Sequence, residues 1–249
     1  MLSRKHLTEG IQNSLKRLKL DYVDVVFWHR PDTDVAVEEV CKAMDWIIEE
    51  GYSFYWATSQ WSSDLVVQAI EVCKTLGLHK PIADQWQYNV LTRDDVEKNY
   101  RKVIEEYGYG TTIWSPLAGG ILTGKYNDGV KPDTPRFTNP TSSNKTWKTF
   151  LNEDDKEKTL KLLNELAEVA AELGCTQAEL ALAWVIVNKD VSTAIFGATS
   201  VSQVQSNLKS VEIASKWTPE LKERIEKFLA LNQSQLWIGT CLHHWNQED

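Results

Sequence analysis

The chain has 249 residues, a formal net charge of −8, 42% hydrophobic residues and 25% charged residues. This balance is typical of a globular protein with a buried core. No stretch concentrates Lys and Arg on one face. This distribution of charge argues against nucleic acid or an anionic membrane as the main partner. No apolar run approaches the ~20 residues of a membrane span, and the first ten residues resemble neither a signal peptide nor a transit peptide.

The cysteines show no spacing typical of a disulfide framework or a zinc site. Cys41, Cys73, Cys175 and Cys241 are scattered, and none belongs to a CxxC pair. Such a distribution favours free thiols in a reducing compartment. We therefore expect a cytoplasmic protein.

Short apolar runs of strand length alternate with longer runs of helical period along the chain. Ser3 or Thr8 is the candidate cap of the first helix, and Thr218 with Pro219 begins the last one. The pattern predicts helices at 7–18, 35–50, 63–76, 94–107, 154–173, 176–188, after 200 and at 219–231, and strands at 22–28, 53–56, 81–85, 111–114 and 192–196.

The segment from Gly119 to about Asn152 interrupts this alternation. It is rich in Gly, Pro, Ser, Thr and Asn, and predicts a long irregular loop. In a compact domain, a loop of that length is usually either functional or disordered.

Alternating strands and helices predict a parallel sheet covered by helices, of α/β class. An open doubly wound sheet and a (β/α)8 barrel, the TIM barrel, are the two candidates. No Gly-rich fingerprint follows an early strand, which weighs against the open sheet. Polar residues follow the ends of nearly all the strands, as at the active face of a barrel.

Five strands are found where a barrel needs eight. We therefore expect a partial barrel containing about strands 4 to 8 with their helices, the earlier strands preceding Met1. This barrel domain would span residues 1–232, and residues 233–249 would form a tail that matches no pattern. In that tail Cys241, His243 and His244 suggest metal binding by composition, but an ordered set of four ligands is missing.

Five runs carry a resemblance to a known family. They lie in order at Tyr22–Asp32 (YVDVVFWHRPD), Tyr55–Ser62 (YWATSQWS), Ile113–Ala118 (IWSPLA), Gly124–Tyr126 (GKY) and Ile195–Ser200 (IFGATS). Together they resemble the aldo-keto reductase family, most closely its branch of voltage-gated potassium channel β subunits and their fungal relatives. The resemblance extends from Leu2 to about Asn232.

The resemblance implies carbonyl reduction with NADPH. In this family a Tyr donates a proton to the developing alkoxide, a Lys and an Asp tune that Tyr, and a His positions the carbonyl. Only the His has a counterpart here, at His29, because the other three belong to strands and loops that would precede Met1. Losing a general acid costs on the order of 10²–10⁴ in rate, so the resemblance implies weak or no turnover by this chain alone.

The residues that contact the cofactor in this family have more counterparts in this chain than the catalytic residues do. The resemblance assigns the nicotinamide carboxamide to Ser59, Gln60 and Gln85, ring stacking to Trp114, and the pyrophosphate path to Ser115, Pro116, Leu117 and Ala118. Lys125 and Arg136, on the long loop, would contact phosphates, and Arg136 beside a 2′-phosphate favours NADP(H) over NAD. The adenosine end would contact Gly197, Thr199, Gln203 and Asn207. An acidic residue of the family before Asn207 is replaced here by Ser206, which weakens the adenine contact.

Each of these residues also has an ordinary structural interpretation. Without the resemblance, His29 is explained as a buried histidine at a strand end, Trp114 as a core residue, and Lys125 and Arg136 as solvated loop charges, whereas the resemblance favours a site role for His29. Ser59 and Gln85 would then satisfy backbone groups. At the level of the whole chain, the alternatives to an NADP(H)-linked reductase are a regulatory subunit that assembles with itself and a membrane channel, and a truncated product without activity.

Overall fold

The computed structural model describes residues 3–32, 34–131, 147 and 149–233. Parallel strands alternate with helices throughout this part of the chain. The strands are β1 Val23–Trp28, β2 Ser53–Ser59, β3 Ala83–Gln87, β4 Gly110–Trp114 and β5 Thr193–Ala194. The helices are α1 Arg4–Leu18, α2 Val37–Glu49, α3 Ser63–Leu76, α4 Arg101–Tyr107, α5 Lys156–Glu172, α6 Gln177–Ile186, α7 Val201–Leu208, α8 Ser210–Ser215 and α9 Pro219–Gln233.

The five described strands form one parallel sheet in chain order, β1-β2-β3-β4-β5. Parallel neighbours connected through helices, in unbroken order, are the arrangement of consecutive strands in a β/α barrel. The predicted α/β class and partial barrel are therefore confirmed. Because consecutive parallel strands run in one direction, all five end at the same edge of the sheet, which we call the carboxyl edge.

The chain divides into two compact units. The sheet unit contains the residues up to 88 with 92–114 and 189–195, and thus all five strands with α1 to α4. The helical unit contains 89–91, 115–188 and the residues from 196 on, and thus α5 to α9. Each unit has its own buried apolar side chains, such as Trp56 and Met44 in the first, and Leu163 and Leu166 in the second.

The helix boundaries follow local capping chemistry. Ser3, rather than Thr8, caps α1 and accepts a hydrogen bond from the His6 amide. Thr176 and Glu179 form a reciprocal capping box at the start of α6, in which each side chain accepts the other residue's backbone N–H. The predicted Thr218 cap of α9 is confirmed, because its hydroxyl accepts the Leu221 amide at 3.2 Å.

Several elements differ in length or type from their sequence prediction. The region predicted as one helix over 94–107 begins with a π-helical turn, Asp95–Asn99, in which the Tyr100 amide bonds to the Asp95 carbonyl at 2.8 Å. β5 is two residues long, shorter than the strand predicted over 192–196, and the Ile195 amide just after it bonds to the Ile113 carbonyl.

No single helix in the described ranges has the length and apolar composition needed to cross a membrane. The pair α5 and α6 meets that test only when the two are taken together, and they are bent by 93° at their junction.

Candidate functional site

The carboxyl edge of the sheet brings together several residues that the sequence assigns to a site. The strand register places Trp28 beside Thr58, Ser59 beside Gln85 and Gln87 beside Trp114. His29 follows Trp28 directly, and Gln60 follows Ser59. The predicted nicotinamide residues and His29 therefore share one edge of the sheet unit.

The turn after β2 is held in an uncommon conformation. Gln60 has a left-handed backbone with φ 54°, which costs a residue other than glycine about 1–3 kcal/mol. The Asp84 carboxylate accepts the Gln60 amide at 2.7 Å and the Trp61 amide at 3.3 Å. A hydrogen bond to a charged group contributes about 1.5–3 kcal/mol, so two such bonds offset the strain.

His29 is exposed at the start of the loop after β1, so it is not the buried histidine of the alternative interpretation. The Trp28 indole N–H donates to the Arg30 carbonyl across this residue, which ties the loop to the strand end. The Trp28 ring also meets the Trp61 ring edge to face, with centroids 6.1 Å apart. Trp61 follows Gln60, so this contact joins the end of β1 to the loop after β2.

Ser59 and Gln85 are linked across the β2–β3 pair. The Ser59 hydroxyl donates to the Gln85 carbonyl at 3.3 Å, which agrees with the alternative in which Ser59 satisfies a backbone group. The Gln85 side chain is half-buried, and so is Trp114 at the end of β4. An amide offers one donor and one acceptor group, the complement of a carboxamide.

The predicted pyrophosphate segment forms a compact turn in the helical unit. Ser115 and Ala118 are left-handed, with φ 54° and 47°. The Ser115 hydroxyl accepts the Gly119 amide at 3.2 Å, and its carbonyl accepts the buried Asn89 side chain at 3.0 Å. Pro116 is buried and Leu117 half-buried, and a 3₁₀ segment, Ala118–Thr123, follows them.

Backbone strain coincides with the predicted cofactor positions. Four residues other than glycine have a positive φ among those that the structure describes: Lys19, Gln60, Ser115 and Ala118. Lys19 ends α1, and the other three are residues that the sequence assigns to the cofactor. Strained non-glycine residues tend to occur at active sites and ligand clamps, so the conformation of each of these segments, taken by itself, is typical of a segment that contacts a ligand.

The predicted adenosine residues surround the start of α7. Ser200 caps the helix and accepts the Gln203 amide at 3.3 Å, while Gln203 Oε1 accepts the Thr199 amide at 2.8 Å. Gly197 and Thr199 are exposed, and Asn207, one turn further along, is buried. A helix N-terminus favours an anion, and this one is presented by an exposed segment.

Ser206 has a role that its sequence position did not predict. Its hydroxyl donates to Glu179 Oε1 at 2.6 Å and thereby connects α7 to the buried carboxylate at the start of α6. Burial alone raises the pKa of Glu179, but the hydrogen bonds from Ser206 and Thr176 outweigh it and hold that pKa below its ordinary value.

Of the remaining predicted residues, only Lys125 falls within the part of the chain that the structure describes. Lys125 is exposed, as expected of a side chain that either binds phosphate or is simply solvated. Arg136, and Cys241, His243 and His244 of the tail, lie outside the described residues.

A further group of titratable residues connects α2 to the segment before β3. Asp45 Oδ1 accepts both the His79 amide at 2.9 Å and His79 Nδ1 at 2.8 Å, and Glu49 lies 3.6 Å from the same nitrogen. His79 and Glu49 are exposed. Asp45 accepts both of the hydrogen bonds that His79 donates.

Sequence reasoning missed the buried polar network beneath the turn after β2. Asp84, Thr58, Tyr100 and Tyr109 are all buried and hydrogen-bonded to one another in a chain. One signal was present, because Asp84 places an ionisable residue inside a strand directly before Gln85, where a buried parallel strand is normally apolar.

Comparison with known proteins gives a single family. The sequence profile of the Aldo/keto reductase family matches residues 1–229. A probable voltage-gated potassium channel subunit beta of Oryza sativa subsp. japonica is 44% identical over 225 residues, which cover 90% of this chain and 67% of that protein. A putative subunit of the same description from Schizosaccharomyces pombe is 44% identical, covering 92% and 65%, and a probable one from Arabidopsis thaliana is 42% identical, covering 92% and 68%. The chain spans about two thirds of the length of these relatives.

Proposed function

Because this chain belongs to the aldo/keto reductase family, we propose that it binds NADP(H) and that residues at the carboxyl edge of its sheet unit contact the nicotinamide. Family membership supports an oxidoreductase-like function. The observation that carries the cofactor proposal is the left-handed backbone of Gln60, Ser115 and Ala118, at three positions assigned to the cofactor on sequence grounds alone.

Each segment has a defined role in this proposal. Ser59, Gln60 and Gln85 orient the nicotinamide carboxamide, and Trp114 stacks on the ring. The turn over residues 115–118 approaches the pyrophosphate, Lys125 and Arg136 contact phosphates, and the adenosine end is held by Gly197, Thr199, Gln203 and Asn207. The bound cofactor would supply a hydride for interconversion of a carbonyl and an alcohol.

His29 is the residue of this chain that would position the carbonyl oxygen. It is exposed at the carboxyl edge, on a loop fixed by Trp28. The 249 residues contain no counterpart of the family's Tyr, Lys and Asp, so proton delivery falls to water. We therefore propose binding of the cofactor with weak or absent turnover by the lone chain, with a rate deficit of at least about 10²–10⁴.

A fluorescence titration with NADPH tests this function. We expect saturable binding by the wild-type chain, and binding about tenfold weaker for Gln85→Ala, because the carboxamide loses a hydrogen-bonded partner. Gln68→Ala, which removes an exposed amide on α3, should bind like the wild type. A wild-type chain that gives no fluorescence change and no thermal stabilisation by NADPH contradicts the proposal.

A second candidate function comes from the names of the relatives, which are described as voltage-gated potassium channel β subunits. In this alternative the chain binds NADP(H) as a regulatory subunit, and assembles with itself and with a membrane channel. Stable tetramers and co-purification with the cytoplasmic assembly domain of such a channel would favour it. A monomer that does not retain that domain would contradict it.

A further inference from the structure

Asp84 is the second residue of β3, where it pairs with Thr58 near the end of β2, and it is completely buried. Within the described ranges, its environment consists of hydroxyl and amide donors, with no cation beside it. Oδ1 accepts the Gln60 amide, and Oδ2 accepts the Thr58 hydroxyl, the Trp61 amide and the Tyr100 hydroxyl. A buried carboxylate normally has a charged partner or a complete set of donors, and Asp84 has the second.

These contacts connect the two nicotinamide segments. Asp84 precedes Gln85 in β3, and its oxygens hold the two successive amides that follow Ser59. The π-helical turn that ends before Tyr100 contributes to the same arrangement, because the Tyr100 hydroxyl reaches both Asp84 and the Trp61 carbonyl, the latter at 2.8 Å.

We propose that Asp84 is a positioning residue of the nicotinamide site, which holds the Ser59–Gln60–Trp61 turn in the conformation that presents Ser59 and Gln60 to the carboxamide. The inference rests on the proposed function, because it explains how residues assigned to the cofactor are kept in place. Asp84 itself is buried and acts only through the turn.

The substitution Asp84→Asn separates the acceptor role of Asp84 from its volume. The amide has the same size, but one oxygen becomes an NH₂ donor. Whichever way the amide is turned, that donor faces a backbone N–H, from Gln60 or from Trp61. The hydroxyls of Thr58 and Tyr100 can rotate and accept, whereas a backbone N–H cannot, so the turn loses one of its two fixed contacts.

Two probes measured by calorimetry test the proposal. NADPH carries the nicotinamide, and 2′-phospho-ADP-ribose is the same molecule without it. For Asp84→Asn we expect NADPH binding to weaken about tenfold and 2′-phospho-ADP-ribose binding to change by less than about twofold. Asp21→Asn, the same substitution at an exposed residue, should change neither. An equal effect of Asp84→Asn on both probes, or no effect on either, overturns the role of Asp84.

The wild-type pH profile tests the same idea if Asp84→Asn fails to fold. Burial raises the pKa of Asp84 to about 6, and protonation turns one acceptor oxygen into a donor. The ionisable groups packed against it are Tyr100 and Tyr109, whose pKa values burial raises, so that both remain donors in this range. The ratio of NADPH affinity to 2′-phospho-ADP-ribose affinity should therefore fall as the pH drops through about 6.

Both probes carry the 2′-phosphate, so the effect of its titration cancels in the ratio of the two affinities. Because histidines as a class titrate in this range, the profile is repeated with His29→Asn and should keep its shape. A flat ratio, or a profile abolished by His29→Asn, overturns the proposal. Wild-type chain that binds neither probe contradicts the proposed function itself, whereas binding of both with an unchanged ratio in Asp84→Asn contradicts only the role of Asp84.

Discussion

Ser206 donates a hydrogen bond to Glu179, a contact between two helices that its position in the sequence did not predict. The resemblance to the aldo-keto reductases places an acidic residue where this chain has Ser206. Here the Ser206 hydroxyl donates to Glu179, which also completes the capping box of α6. The side chain is thus engaged in joining α7 to α6, which supports the expectation of a weaker contact to adenine.

Ser206→Ala should lower the free energy of unfolding by about 1–2 kcal/mol at pH 7, because a buried carboxylate loses one of its donors. The lowered pKa of Glu179 means that its hydrogen bonds stabilise the fold above the ordinary glutamate pKa, and that this stability is lost as the pH falls through the lowered value. Urea unfolding should therefore show a difference between variant and wild type that shrinks towards acid pH. Ser202→Ala, an exposed change on the same helix, should show almost none, and an equal loss in both variants would contradict this interpretation.

At the scale of elements, helix starts were more predictable than strand ends. Caps depend on the chemistry of one or two local side chains, and Thr218 and Pro219 begin α9 as predicted. Strand ends depend on the neighbouring strand: β2 continues to Ser59, three residues beyond its predicted end, because Thr58 and Ser59 pair with β3. The sequence alone contains no information on that register.

Thr176→Ala should destabilise the protein by about 1 kcal/mol, within the range of 0.5–2 kcal/mol found for lost N-caps. The cause is loss of the acceptor for the Glu179 amide at the start of α6. Thr75→Ala, near the end of α3, removes only an exposed bond to the Glu71 carbonyl and should be nearly neutral. Thermal unfolding of both variants measures the difference, and equal melting temperatures for the two would exclude the capping explanation.

At the scale of the whole molecule, β1 is an edge strand of the sheet that the described residues form, and exposed aromatic residues lie near it. Tyr22, Phe54 and Tyr55 are each more than half exposed, and the Tyr22 and Phe54 rings meet edge to face at 5.2 Å. Exposed apolar side chains beside an unpaired strand edge favour association between copies.

Phe54→Lys should therefore reduce concentration-dependent association of the chain, because a lysine beside β1 repels a second copy. Light scattering over a range of concentrations measures the effect. Val211→Lys, which changes an exposed apolar residue of α8, serves as the matched control. If both substitutions reduce scattering equally, net charge and not the edge of β1 is responsible.

The sequence by itself determined the alternation of strands and helices and the parallel α/β class, and its resemblance to a family provided the cofactor residues that are proposed. These features follow from local periodicity and from short motifs, which are written in consecutive residues. Only the tertiary structure decided that His29 is exposed, that Ser206 bonds to Glu179, and that Asp84 holds the turn at Gln60. Each of these depends on residues more than 20 positions apart or on what covers a side chain, and spacing along one chain does not specify either.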